Sequence, residues 1–176
     1  MRTTHLETSV YYFKDDGMIP NNSELPVILY PGALRGEEQN TEKIFNKHNW
    51  RNSWTGGVFP YHHYHSNSHE VLGVTKGSVK LHIGGEKGII LTASAGDILV
   101  LPAGTGHKKL ESSLDFQIVG AYPDGMSYNT RTGDKEERPQ VLREIACVPL
   151  PDQDPLLGTE GPLLVHWGKA ENPNSL

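Results

Sequence analysis

The sequence predicts an all-β, antiparallel fold on three observations. From Trp54 onward, short β-rich runs at 57–65, 70–75, 78–83, 88–93, 97–101, 107–111 and 115–122 are punctuated by glycine. Turn signals fall between them at Lys76-Gly77, Gly84-Gly85 and Ala95-Gly96. Within 78–83, Val79, Leu81 and Ile83 alternate with Ser78, Lys80 and His82, the period of a strand with one apolar face. Runs so short and so closely spaced leave no room for intervening helices, which favours antiparallel sheets. On this alternation His82 falls on the solvent side.

The flanking elements follow in chain order. Residues 7–13 and 26–30 are β-rich and are separated by Asp15-Asp16-Gly17 and Pro20-Asn21-Asn22, so they read as short strands joined by turns. Residues 41–50 open on Thr41, a capping residue type, and place Ile44, Phe45 and His48 at helical spacing, which predicts one short surface helix. After Tyr122 the chain turns polar and rich in Pro and Gly, an irregular C-terminal extension with a short helix over 139–146 opened by Pro139. Further on, Leu163-Leu164-Val165-His166-Trp167 reads as a strand. The organisation expected is a single domain over 1–176, with a β core at about 54–122, N-terminal strands and helix over 1–53, and the extension over 123–176.

Chemistry concentrates in Phe59-Pro60-Tyr61-His62-His63-Tyr64-His65, followed by Glu70 and, much later, by Pro102-Ala103-Gly104-Thr105-Gly106-His107. Residues two apart in a strand share a face, so His63 and His65 can present imidazoles to one ion. Glu70 adds an oxygen ligand, and a Gly/Pro-punctuated segment can fold His107 back over the first strand. By the same alternation His62 and His69 face away. These residues carry a family resemblance. Gly57, His63, His65, Glu70 and Gly77 resemble the first cupin motif, and Gly96, Pro102, Gly104 and His107 resemble the second. The second motif usually ends on Asn where this chain has Glu111. The resemblance spans about residues 56–122 and extends to an uncharacterised branch of small bacterial cupins. It implies a cupin double-stranded β-helix, a jelly-roll barrel, with His63, His65, Glu70 and His107 as metal ligands.

Composition excludes several classes. The 16 basic and 21 acidic residues give a formal net charge of −5, and no basic stripe is visible beyond Lys108-Lys109. Nucleic acid is therefore not an expected partner, because phosphate neutralisation needs clustered positive charge. Apolar runs such as Ile98-Leu99-Val100-Leu101 are far short of a membrane span, and Met1-Arg2-Thr3-Thr4-His5 lacks an apolar signal core. The expected location is cytoplasmic. The lone Cys147, in Ile145-Ala146-Cys147-Val148, reads as a buried small hydrophobe.

Three imidazoles and a carboxylate leave open positions on an octahedral ion, and mixed nitrogen and oxygen ligation suits one divalent transition metal (Fe, Mn, Ni, Co, Zn or Cu) rather than Ca or Mg. Substrate contacts are expected from Tyr61, inward with the two histidines if strand parity holds, and from Gln117 in one of two registers open to 115–122. Tyr128 and Arg131 join them if residues 123–138 form a mobile cover over the site. What cupins of this size imply is a metal-dependent enzyme of dioxygenase or isomerase type acting on a small organic molecule. The alternative is a sensor or binding cupin without turnover. Apolar surface on the N-terminal strands and the extension exceeds what a small barrel can cover, which predicts a homodimer.

Overall fold

The glycine-bounded runs fold as strands: β1 (Ser9–Tyr11), β2 (Val27–Tyr30), β3 (Trp50–Gly56), β4 (Glu70–Lys76), β5 (Ser78–Ile83), β6 (Ile89–Ser94), β7 (Ile98–Leu101), β8 (His107–Ser112) and β9 (Gln117–Pro123). The structure is a computed structural model that describes residues 6–168. Three short helices accompany the strands: α1 (Thr41–Lys47), α2 (Gln140–Cys147) and α3 (Pro162–Trp167). Hydrogen bonding gives a six-stranded sheet in the order β1-β2-β7-β4-β9-β3 and a three-stranded sheet in the order β6-β5-β8. Every ladder is antiparallel. This is the two-sheet arrangement of a cupin double-stranded β-helix, but the barrel expected from the sequence is not closed, because the two sheets share no ladder.

Strand parity explains what lies between and outside the sheets. Leu72 and Val74 of β4, Leu99 and Leu101 of β7 and Ile118 of β9 meet Val79, Leu81, Ile83 and Ala93 of the small sheet in one apolar cluster. The alternate residues Val71, Ile98, Val100, Val119 and Ala121 face the other way and pack with Phe45, Trp50, Leu156, Leu163 and Trp167. Burial on both faces is why β4, β7 and β9 read as continuous apolar runs rather than alternating ones. β1 and β2 extend the large sheet and α3 covers its outer face, while Val10, Leu150 and Val165 stay exposed.

Several local expectations are corrected. Residues 57–65 are not a strand; they carry only the isolated bridges His63 to His107 and Tyr64 to Arg131, with Pro60 in the middle. The 163–167 stretch is helical, because Pro162 occupies the first turn of α3 behind Gly161 and suits a helix start. Cys147 is exposed at the end of α2, whose buried position is Val141. His82 is only 9 % exposed, because the 57–65 segment lies over the face of β5 that alternation assigns to solvent. The α1 helix starts as expected near Thr41, with Asn40 rather than Thr41 as its capping residue. Glu111, where the motif has Asn, forms an exposed cross-strand ion pair with Lys80 at 2.9 Å. No helix among the described residues is long and apolar enough to cross a membrane.

Candidate metal centre

Four buried side chains converge from three places in the fold. Glu70 opens β4 of the large sheet and His107 opens β8 of the small one, while His63 and His65 come from the irregular segment that bridges the two. Glu70 shares the inward parity of Leu72, and the backbone of His63 pairs reciprocally with that of His107 at 3.2 and 3.0 Å. This pairing, not a continuous strand, puts the two imidazoles of the segment on the same side as His107. Ligand nitrogens of His63, His65 and His107 all lie within 4.8 Å of one another. One Glu70 oxygen is 3.3 Å from His65 Nε2, and the other is 3.3 Å from His107 Nε2. All four residues are at most 6 % exposed.

The tautomers are set by the backbone. His63 Nδ1 lies 3.1 Å from the Tyr61 carbonyl, His107 Nδ1 lies 3.0 Å from the Thr105 carbonyl, and His65 Nδ1 bonds the Asn129 carbonyl. A carbonyl can only accept, so each Nδ1 carries a proton and donates, which in the neutral ring leaves each Nε2 a lone pair aimed inward. This is the orienting contact that ligating histidines make. Burial and the neighbouring His107 push the His63 pKa down to about 3, which favours its neutral form. Burial works against charge on His65 and on Glu70 alike. Their mutual attraction outweighs it, so His65 is raised and Glu70 is held well below the usual carboxylate range.

The residues fit a cation on an observation independent of spacing. Glu70 Oε1 is buried with no well-formed hydrogen bond, its contact with His107 Nε2 being a loose 3.3 Å, and a buried carboxylate oxygen held this way is costly unless a positive charge answers it. Its other oxygen accepts a 2.7 Å bond from Tyr122 Oη, which in turn accepts one of 2.7 Å from Trp54 Nε1. Burial and the Glu70 charge raise the Tyr122 pKa above its ordinary value, so the phenol stays a donor. Gly120 makes room for this chain, since a Cβ there would lie 2.4 Å from the Trp54 ring.

A pocket of about 320 Å³ opens onto the four residues, lined further by Trp54, Val58, Phe59, Leu72, Tyr122, Tyr128 and Thr130. That is a small-molecule volume with mostly apolar walls. Of the residues expected to touch substrate, Tyr128 lines it and Tyr61, Gln117 and Arg131 do not. Tyr61 is 46 % exposed and stacks on Phe59, one ring outside the pocket. Gln117 takes the outward register, bonding Thr75 and lining a groove beside Thr41 and Glu42, while Phe116 and Ile118 turn inward. Arg131 pairs its backbone with Tyr64 and sits within electrostatic reach of Glu144. The 123–138 stretch does reach the site, through Tyr128, Asn129 and Thr130, and it is pinned there. Asn129 exchanges hydrogen bonds with Ser66, and its backbone N–H donates to the side-chain oxygen of Asn67. Tyr128, expected at the site if this stretch reached it, does line the pocket, and Trp54 and Tyr122 are the site residues that sequence reasoning missed. Tyr122 is 52 positions from Glu70 and meets it only through the β4 to β9 ladder.

Comparison with known proteins agrees with this architecture. Residues 50–109 match the cupin domain family. The chain is 47 % identical, over 163 residues, to the uncharacterized protein YjlB of Bacillus subtilis strain 168, covering 93 % of this chain and 98 % of that one. Among solved structures it is similar to acireductone dioxygenase from Bacillus anthracis with a cadmium ion in its active center, at 14 % identity and a TM-score of 0.39, covering 55 % of this chain and 65 % of that chain. It is also similar to Bacillus subtilis oxalate decarboxylase, described with Mn(II) centers, at 18 % identity and a TM-score of 0.37, covering 63 % and 28 %. The chain spans less than two thirds of either of these two structures.

Proposed function

We propose that this chain, which belongs to the cupin superfamily and to the same family as YjlB, binds one divalent transition metal through His63, His65, Glu70 and His107 and acts on a small organic molecule held in the adjoining pocket. The observation that carries the reading is the set of three Nδ1 contacts to backbone carbonyls, which leaves three Nε2 lone pairs and a loosely bonded carboxylate oxygen facing one point. When bound, the ion would supply Lewis acidity to a ligand oxygen at its open positions. The chain's own part is to exclude water with Val58, Phe59 and Leu72, to hold Glu70 through Tyr122, and to offer Tyr128 and Thr130 at the pocket wall. A metal-dependent enzyme of dioxygenase or isomerase type fits this layout.

A second reading, a binding or sensing cupin without turnover, is favoured by one feature. Apart from the four candidate ligands, the ionisable groups lining the pocket are two tyrosines, and the Tyr122 hydroxyl is committed to Glu70. Beyond the candidate ligands, no histidine, lysine or carboxylate lines the pocket to serve as a general base. One experiment separates the two. Protein purified without added metal is assayed for metal content, then loaded with each candidate ion and screened for O₂ uptake and for isomerisation of small keto and enediol compounds. Turnover abolished by His107→Ala supports the enzyme, whereas ligand binding without turnover under every ion supports the binder.

A further inference from the structure

His62, one peptide bond before His63, turns away from the centre and meets a different set of donors. Its ring packs edge-on against His82 with centroids 4.8 Å apart, and its Nε2 lies 2.8 Å from Glu86 Oε1. One ligand atom from each of His62, His82 and Glu86 falls within 4.8 Å of the others. The three come from three separate elements: the irregular 57–65 segment, β5, and the turn between β5 and β6. We propose that these residues form a second cation site, a His₂-carboxylate site for a divalent transition ion such as zinc, independent of the centre described above.

The geometry suits an ion. With metal bonds of about 2.0–2.2 Å to nitrogen and oxygen, two ligands on one tetrahedral or octahedral ion lie roughly 2.8–3.5 Å apart. The 2.8 Å between His62 Nε2 and Glu86 Oε1 is already at that spacing. The other ring nitrogen of His62, Nδ1, is buried without a partner. His82 has reason to be where it is: on the outer face of β5 it would be solvated, and instead His62 covers it. Two imidazoles and one carboxylate leave a position for water, the donor count of many protein zinc sites. One group opposes the ion. Lys108, paired with His82 across the ladder, places its Nζ 3.7 Å from the same Glu86 oxygen. Its ammonium must swing away on loading, and Glu86 is largely exposed, so this site is weaker than the buried one. Its consequence is mechanical. An ion there would tie the segment that carries His63 and His65 to the small sheet.

The test is isothermal titration of the metal-stripped full-length protein with ZnCl₂, with bound zinc counted by elemental analysis after dialysis. Wild type is expected to bind two equivalents, and His82→Ala and Glu86→Gln each one fewer. Lys108→Met is expected to tighten the weaker equivalent at least threefold. The Glu86 side chain is 74 % exposed, so Glu86→Gln is a variant whose folding is not at stake. The proposal is overturned if both His82→Ala and Glu86→Gln give the wild-type isotherm and count. His107→Ala, titrated in parallel, reports on the buried centre alone, so failure of one site is read separately from failure of the other.

Discussion

His63 and His62 are adjacent in the chain and differ in what surrounds them, and the contrast shows how burial and backbone contacts fix one imidazole more firmly than its neighbour. On the inner side, three Nδ1 atoms are fixed by backbone carbonyls and the carboxylate is clamped by Tyr122, so the donors are oriented before any ion arrives. On the outer side, His62 Nδ1 has no partner, Glu86 stands in solvent, and Lys108 competes for its oxygen. The residue types are the same. The inner set has lost its conformational freedom during folding, whereas the outer set must still lose it on binding, and the inner site should bind the tighter for that reason.

The comparison can be broken most severely at Glu70. Glu70→Gln removes the inner carboxylate and is expected to weaken the tighter zinc equivalent by more than about 100-fold, since loss of a ligand should exceed the 10–100-fold typical of an orienting partner. The outer equivalent should not change, and two-site titration reads both. Next is Tyr122→Phe, which leaves Trp54 Nε1 without an acceptor and frees Glu70 to rotate. Inner affinity should fall by about 10–100-fold and stability by about 1–3 kcal/mol, measured by titration and urea unfolding.

Gly120→Ala acts one step further out. The new Cβ would meet the Trp54 ring at 2.4 Å, and displacing that ring should cost about 1–3 kcal/mol, with a smaller loss of inner affinity through the slackened Tyr122. The smallest effect is at the end of the pinned 123–138 stretch. There Arg138 donates two hydrogen bonds of 2.7 Å to Asp15 and holds its carboxyl below the ordinary 3.8. A carboxylate whose pKa is lowered on folding contributes stability above its unfolded value, and loses that contribution as pH falls through the folded one. Asp15→Asn should therefore cost a few tenths of a kcal/mol at pH 7 after solvent screening, and the difference from wild type should vanish near pH 2. Denaturation at both pH values checks the sign.

Much of this was legible in the chain because the signals were local. The 78–83 alternation predicts β5 to the residue, and glycine punctuation predicts Gly77, whose φ of +67° and crowded Cβ position suit the turn after β4. The spacing of the candidate ligands is legible because Glu70 and His107 each open a strand and His63 and His65 lie close together in the segment before β4. What failed was long-range. Parity within a continuous strand placed Phe59 and Tyr61 inward with the histidines. In fact a bridge to His107 aligns the imidazoles; Phe59 does line the pocket, but Tyr61 stacks on its ring from outside. Gln117 could be assigned to a face only once the β4 to β9 register was known, and Trp54 and Tyr122 join the site through that same sheet. Cys147 and the 163–167 run looked apolar enough for burial or a strand; helix phase and Pro162 decided otherwise.

The central claim is that three imidazole Nε2 atoms and Glu70 converge on one ion. Its most direct test is a crystal structure of the metal-loaded protein with anomalous diffraction at the edge of the bound metal. The account predicts a strong peak about 2.0–2.2 Å from Nε2 of His63, His65 and His107 and from a Glu70 oxygen, with each Nδ1 still on its backbone carbonyl. A loaded protein with no peak among these four side chains, or with the imidazoles turned so that Nδ1 faces the pocket, would contradict it.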